Sequence, residues 1–325
     1  MLGLGIASSH AGALFVPKEY WPAVYAAMPD YMKDSQPHTA KTEPERIDDY
    51  IARKEKAFAV LRAQLESYKP DALIVIGDDQ AEVFNKSNNP TLCVFTGDEV
   101  IGTTEPIHMK TPPENSRITI KIHSRLAKHV LKQLVKKGFD ASNVAEMVPV
   151  GKYGDRGVSH MLARPMPKLV PRLDIPVIPI FLNEYFPPLP DGRRCWNLGI
   201  ALQEICDAIP ERIAIYASGG LSHDPGGPRA GWVDEPLDRW VLERIEQNRG
   251  EELCNLFTFD SATLRGGTGE IRAWITAAGA CRRAATVIDY FASHYAKTGC
   301  AFAYWPAPEE PARAKRSASV AAAAD

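Results

Sequence analysis

No stretch of the chain approaches the roughly 18 consecutive apolar residues of a membrane-spanning helix, so none is expected. Neither sign of charge dominates: 38 Lys and Arg stand against 40 Asp and Glu, a net charge of −2. No basic run interleaved with aromatics is present either, which removes the electrostatic footprint of a nucleic-acid binder. Cysteine is sparse, and the six residues (Cys93, Cys195, Cys206, Cys254, Cys281, Cys300) form no C-x-x-C pair. That spacing fits buried thiols in a reducing cytoplasm. No internal repeat is visible. The opening "MLGLGIASSHAGALFV" lacks a positive n-region, and its apolar run breaks at Ser8-Ser9-His10. It reads as a first strand, not a signal peptide.

What is present is alternation. Short apolar runs bounded by turn residues occur at 2–7, 72–77 within "DALIVIGDDQ", 91–96, 175–183, 212–218 and 300–305. Helical spacing fills Glu45 to Tyr68, His123 to Lys137, Arg193 to Ala208, Glu235 to Gln247 and Gly269 to Ala280. Alternating strands and helices predict an α/β fold: a single domain over 1–305 with a central mostly parallel or mixed β-sheet flanked by helices on both faces. The tail 306–325 is Pro/Ala-biased and is expected to be disordered.

Polar loops follow several of these strands. His10, the triplet Asp78-Asp79-Gln80 and His223 each come after one. Ligand crevices of open α/β sheets lie beyond the carboxyl ends of the strands. If these strands are neighbours, the groups converge on one pocket. His160 in "GVSH" and Glu270 at the start of a helix complete the constellation. Histidines and a carboxylate on separate loops have the composition of a non-haem Fe(II) site with open positions. Set against this, single loop histidines are commonly capping or surface residues, and Glu270 also suits a first helical turn. Arg164, Arg193, Arg194 and Arg229 are candidates for binding a substrate carboxylate, Arg229 lying nearest His223 in sequence. His123 and His129, six apart on a helix, face different sides, while His108 and His294 carry no signal.

Five segments in order, "GIASSH", "PDALIVIGDDQAEVF", "IPVIPIFLNEYFPPLPDGRRCWNLGIAL", "YASGGLSHDPGGPRAG" and "GGTGEIRAWI", carry a resemblance. They are similar to the class III extradiol ring-cleavage dioxygenases, the group of protocatechuate 4,5-dioxygenases and gallate dioxygenases. The resemblance implies Fe(2+), dioxygen and a small aromatic substrate: a carboxylated catechol, a gallate-like triol, an aminophenol or a hydroxypyridone. It implies His10 and Glu270 as iron ligands, His223 as the base that takes a substrate hydroxyl proton, and His160 as a second active-site histidine. Ser159 precedes His160 where the protocatechuate enzymes have Asp. Gln80 stands where the family has another histidine ligand, so Gln80, Asp78, Asp79 or His38 would complete the shell. A homo-oligomer is expected, with a separate small subunit as an open alternative. Two other readings stay open: a metal-dependent hydrolase on the same fold, and a non-catalytic binding module.

Overall fold

The structure, a computed structural model, describes residues 1–26, 30, 33, 39–106, 109–225 and 227–308. His38, His108 and most of the expected tail fall outside these residues. The strands are β1 (Leu2–Ser8), β2 (Ala72–Gly77), β3 (Leu92–Phe95), β4 (Glu99–Thr103), β5 (Arg117–Lys121), β6 (Ser142–Val144), β7 (Val177–Leu182), β8 (Ile213–Ser218), β9 (Thr286–Ser293) and β10 (Thr298–Trp305). An eight-stranded sheet runs in the order β6-β3-β7-β2-β8-β1-β10-β9, and β4 and β5 form a separate two-stranded sheet. β7, β2, β8 and β1 are mutually parallel, while β3 pairs antiparallel with β7, and β10 with both β1 and β9. The sheet is therefore mixed around a parallel centre. Every residue of those four central strands is buried. That is why they read in sequence as continuous apolar runs instead of alternating ones.

The longer helices are α1 (Ile47–Tyr68), α2 (Ser124–Lys136), α3 (Gly192–Asp207), α4 (Glu235–Glu246) and α5 (Ile271–Cys281). α1 packs on β1, β9 and β10, α2 on β3 and β7, and α5 on β1 and β8. Asp191 caps α3 by accepting from Arg194 N–H at 2.7 Å, and Asp234 caps α4 by accepting from Leu237 N–H. α5 is buried on all sides, as its composition demands. It begins later than the expected Gly269, because Gly266–Glu270 form a 3₁₀ turn in front of it. The β4–β5 hairpin, β6 and β9 were not expected from the apolar runs. Their residues are partly exposed, so the continuous hydrophobic signal is missing. Among the described residues no helix is long and apolar enough to cross a membrane. All six cysteines are free and buried.

α3 and α5 cross at glycines. A Cβ on Gly199 would press into the Thr276 carbonyl oxygen and lie 2.6 Å from the Ala280 nitrogen, both backbone atoms that cannot step aside alone. Gly199→Ala is expected to destabilise the fold by about 1–3 kcal/mol, the usual range for overpacking. Urea unfolding checks this: an unchanged midpoint would mean the helices do not need that close approach.

Candidate functional site

The sheet order makes β2, β8 and β1 adjacent and parallel, so the loops at their carboxyl ends share one edge. His10 follows β1, and its Nδ1 meets Ser218 Oγ at the end of β8 at 3.1 Å. Asp78 directly follows β2. Glu270 closes the 3₁₀ turn before α5; its Oε2 accepts from Gly220 N–H and its Oε1 accepts from Tyr185 Oη–H at 2.7 Å. His10 Nε2 then lies 3.4 Å from Glu270 Oε2 and 3.7 Å from Asp78 Oδ1. One ligand atom from each of His10, Asp78 and Glu270 falls within 4.8 Å of the others, and all three residues are buried. Among the described residues, His10 Nε2 and both Asp78 carboxylate oxygens have no hydrogen-bond partner. Buried polar atoms are normally satisfied, so orphans facing one another need an explanation.

Electrostatics point the same way. Burial, and then the negative charge of Glu270, hold the Asp78 carboxyl well above the usual carboxylate range. Burial also disfavours charge on Glu270, but His223 and His10 outweigh it and keep Glu270 ionised far below its ordinary value. Two carboxylates this close cannot both be charged cheaply without a cation between them. One imidazole nitrogen and two carboxylates, their combined charge matched to a divalent ion, could hold a divalent metal.

His223 lies beside this group. Its Nδ1 donates to the Leu221 carbonyl at 2.9 Å, so Nε2 is the nitrogen turned to the site, 3.2 Å from both Tyr185 Oη and Glu270 Oε1. Burial lowers its pKa, yet Glu270 and the Leu221 carbonyl outweigh burial and leave it above the ordinary histidine value. The loop is pinned from outside. Asp238 on α4 accepts from Ser222 N–H at 2.8 Å and Ser222 Oγ–H at 2.9 Å, and Trp274 donates to the Gly219 carbonyl. His160 sits on the other side, its ring centroid 5.8 Å from that of His10. Burial and Arg164 push its pKa down to about 4 despite Glu82, so it is neutral at pH 7. It donates through Nδ1 to Glu82, which leaves Nε2 as an acceptor. Glu82 itself stays ionised: burial works against its charge, and His160 and Arg164 restore it.

Gln80 is in the site with its amide nitrogen donating, at 3.2 Å to Glu270 Oε1 and 3.4 Å to Tyr185 Oη. Asp79 turns away, and its carboxylate accepts from the Glu82, Val83 and Phe84 N–H groups as a turn cap. Arg229 is placed with its guanidinium over the Trp232 ring, 4.1 Å from the centroid. Arg193 pairs with Glu251, and Arg194 lies over Phe139. His123 precedes α2, and His294 binds the Gly231 carbonyl. Two residues have no counterpart in the sequence reading. Tyr185 follows β7, the neighbour of β2, so the rule that located the other loops would have found it. Glu82, which orients His160, carried no pattern of its own.

A cavity of about 310 Å³ adjoins the group, lined by Gln80, His160, Glu82, Arg156, Arg164 and Lys297 among others. Its size is near the lower end for small-molecule sites.

The chain matches the family model described as the catalytic LigB subunit of aromatic ring-opening dioxygenase over residues 36–303. His10 precedes that span. A 2,3-dihydroxyphenylpropionate/2,3-dihydroxicinnamic acid 1,2-dioxygenase of Photorhabdus laumondii is 26% identical over 204 residues, covering 61% of this chain and 56% of that protein. A gallate dioxygenase of Pseudomonas putida is 29% identical over 159 residues, covering 47% of this chain and 44% of its own length. A further dihydroxyphenylpropionate dioxygenase of Pseudomonas putida is 24% identical over 294 residues, covering 76% and 85%. The chain thus spans about half the length of the first two.

Proposed function

The chain belongs to the family of the catalytic LigB subunit of aromatic ring-opening dioxygenase, and from that premise we propose that it is a ferrous-iron-dependent extradiol dioxygenase acting on a catechol-like ring. The observation that carries this is the buried His10, Asp78 and Glu270 group with its orphaned donor atoms, flanked by His223 and by a cavity. These three residues would hold the ion. Bound there, ferrous iron would acidify a coordinated diol and allow its ring to react with dioxygen. The relatives named for dihydroxyphenylpropionate, dihydroxicinnamic acid and gallate support the substrate class.

The chain's own groups have distinct tasks. With Nδ1–H spent on Leu221, Nε2 is the His223 nitrogen that takes the proton of a substrate hydroxyl when the imidazole is neutral. Glu270, 3.2 Å away, favours the imidazolium that results. His160 Nε2, neutral and fixed by Glu82, accepts a hydrogen bond from substrate at the cavity wall. Tyr185, its phenol kept protonated by burial and by Glu270, donates to the carboxylate and holds its orientation. Gln80 does the same from the other side. The buried free thiols support a reducing, cytoplasmic setting.

Anaerobic reconstitution with Fe(II), followed by oxygen-electrode screening of diols and aminophenols, tests the reading. Oxygen uptake with iron and none with zinc is expected. Hydrolytic turnover with zinc and no uptake with iron would overturn it.

His223 also depends on a glycine. A Cβ on Gly267 would collide with the imidazole edge that carries Nε2. Gly267→Ala is expected to lower turnover by about 10²-fold, the scale of an ångström-sized misplacement, with metal content unchanged. Full activity would show that the ring does not need this seat.

A further inference from the structure

Ser222, the residue before His223, is gripped by a carboxylate that lies outside the site. Asp238, in the first turn of α4, is fully buried. One of its oxygens accepts from Ser222 N–H at 2.8 Å, and the other accepts from Ser222 Oγ–H and Tyr290 Oη–H, each at 2.9 Å. Ser222 is held in return: its Oγ accepts from Asp234 N–H at 2.7 Å and its carbonyl from Gly299 N–H at 3.0 Å. The Gly299 carbonyl accepts from Leu221 N–H, and Leu221 is the residue whose carbonyl takes His223 Nδ1–H. A Cβ on Gly299 would overlap the Asp238 carboxylate, so β10 is closed down on it. One buried acid thus joins α4, β9 and β10 to the two residues that precede the base.

The donors to Asp238 are all neutral. Tyr290 on β9 and Cys300 on β10 are kept protonated by burial, and Asp234 adds a like charge from the start of α4. Arg239 lies over the Tyr290 ring, 5.1 Å from its centroid, and pairs with Glu235. A carboxylate buried among neutral donors is costly. Asparagine would fill the same space, but with one acceptor oxygen for three donors. Burial, opposed by the Ser222 and Tyr290 donors, pushes the Asp238 pKa up to about 7.

We infer that Asp238 is a positioning residue for His223: its ionised carboxylate, acting through Ser222, fixes the loop that aims Nε2 at the metal-holding group, and its protonation loosens that loop. The effect on rate rests on the reading of His223 as the base of a ring-opening reaction. The effect on the loop stands on the Asp238 contacts alone.

Two readouts on the iron-reconstituted full chain test it. One is turnover of a catechol against pH. The other is hydrogen exchange of the 219–223 loop under argon, read by mass spectrometry as protection relative to the unfolded chain. In the wild type, kcat and loop protection should fall together as the pH drops through about 7. Protection should fall about tenfold, the difference between a charge-assisted and a neutral hydrogen bond. Tyr290→Phe deletes one donor to the carboxylate and nothing from the site, so both midpoints should move up by about one pH unit. His223 takes up its proton in both proteins, so the displacement between them reports Asp238. Asp238→Asn should lower kcat by about 10- to 100-fold, the scale of a misplaced catalytic group, with the KM for the diol and the iron content unchanged. A role in stability alone would leave the midpoints and the kcat of folded, iron-loaded protein where they are. If Asp238→Asn does not fold, Tyr290→Phe carries the test. Unmoved midpoints in Tyr290→Phe, wild-type protection that ignores pH, or an Asp238→Asn protein that keeps wild-type kcat or loses iron would overturn the inference. Protection that follows pH and shifts in Tyr290→Phe, without oxygen uptake on any diol, would instead sink the ring-opening reading and leave Asp238 as the residue that sets the loop.

Discussion

Asp78→Ala, His10→Ala and Glu270→Ala are each expected to lower iron affinity by more than about 100-fold, beyond the 10- to 100-fold that changes in residues merely supporting a metal site produce. Activity should disappear with the metal. The three side chains place their ligand atoms together in a buried group, and among the described residues the His10 Nε2 and Asp78 oxygens have no hydrogen-bond partner. Gln80→Ala, which deletes hydrogen bonds to Glu270 and Tyr185 but none of the three grouped ligand atoms, should cost about tenfold. The metal-free protein should respond with the opposite sign. Asp78 has its pKa raised by burial and by Glu270, so the stability it contributes is present at low pH and lost as the pH rises through the folded-state value. Asp78→Asn removes that loss, and at pH 8 the metal-free variant should melt above the metal-free wild type. Chelator competition and thermal unfolding read the two effects separately. Wild-type iron affinity in Asp78→Ala would remove Asp78 from the shell and return Gln80 to consideration.

His223→Ala is expected to keep iron and lose about 10²- to 10⁴-fold in turnover, the range for an absent general base. The imidazole supplies a proton acceptor at Nε2, while none of the grouped ligand atoms of His10, Asp78 and Glu270 belongs to it. His223→Gln, which offers an amide oxygen but takes no proton at neutral pH, should not rescue the rate. Metal analysis beside steady-state kinetics decides the matter. Loss of iron together with turnover would assign His223 to the metal, and near-normal turnover would leave it a turn residue.

The parallel centre of the fold was legible because its strands are buried on both faces and their apolar runs are unbroken. The same property made the site loops legible, since β1, β2 and β8 are neighbours and their carboxyl ends coincide. The choice within "GDDQ" was not. Which of three consecutive side chains points inward depends on how the loop turns, and here Asp79 folds back to cap the N–H groups of Glu82, Val83 and Phe84. That leaves Asp78 facing His10, and Gln80 reaching Glu270 through its nitrogen. Tyr185 was passed over because an aromatic residue after a strand looks like core. Arg229 had the right chemistry and sequence neighbourhood, but the loop places Trp232 under its guanidinium.

The proposed reaction, in which iron held by His10, Asp78 and Glu270 lets dioxygen open an aromatic ring, has an isotopic test. The protein, reconstituted with Fe(II) under argon, is mixed with a catechol in buffer equilibrated with ¹⁸O₂, and the product is weighed by mass spectrometry. A ring-opened product carrying both atoms of the labelled dioxygen is predicted. A product with no label, or no ring-opened product from any diol while iron is fully bound, would contradict it.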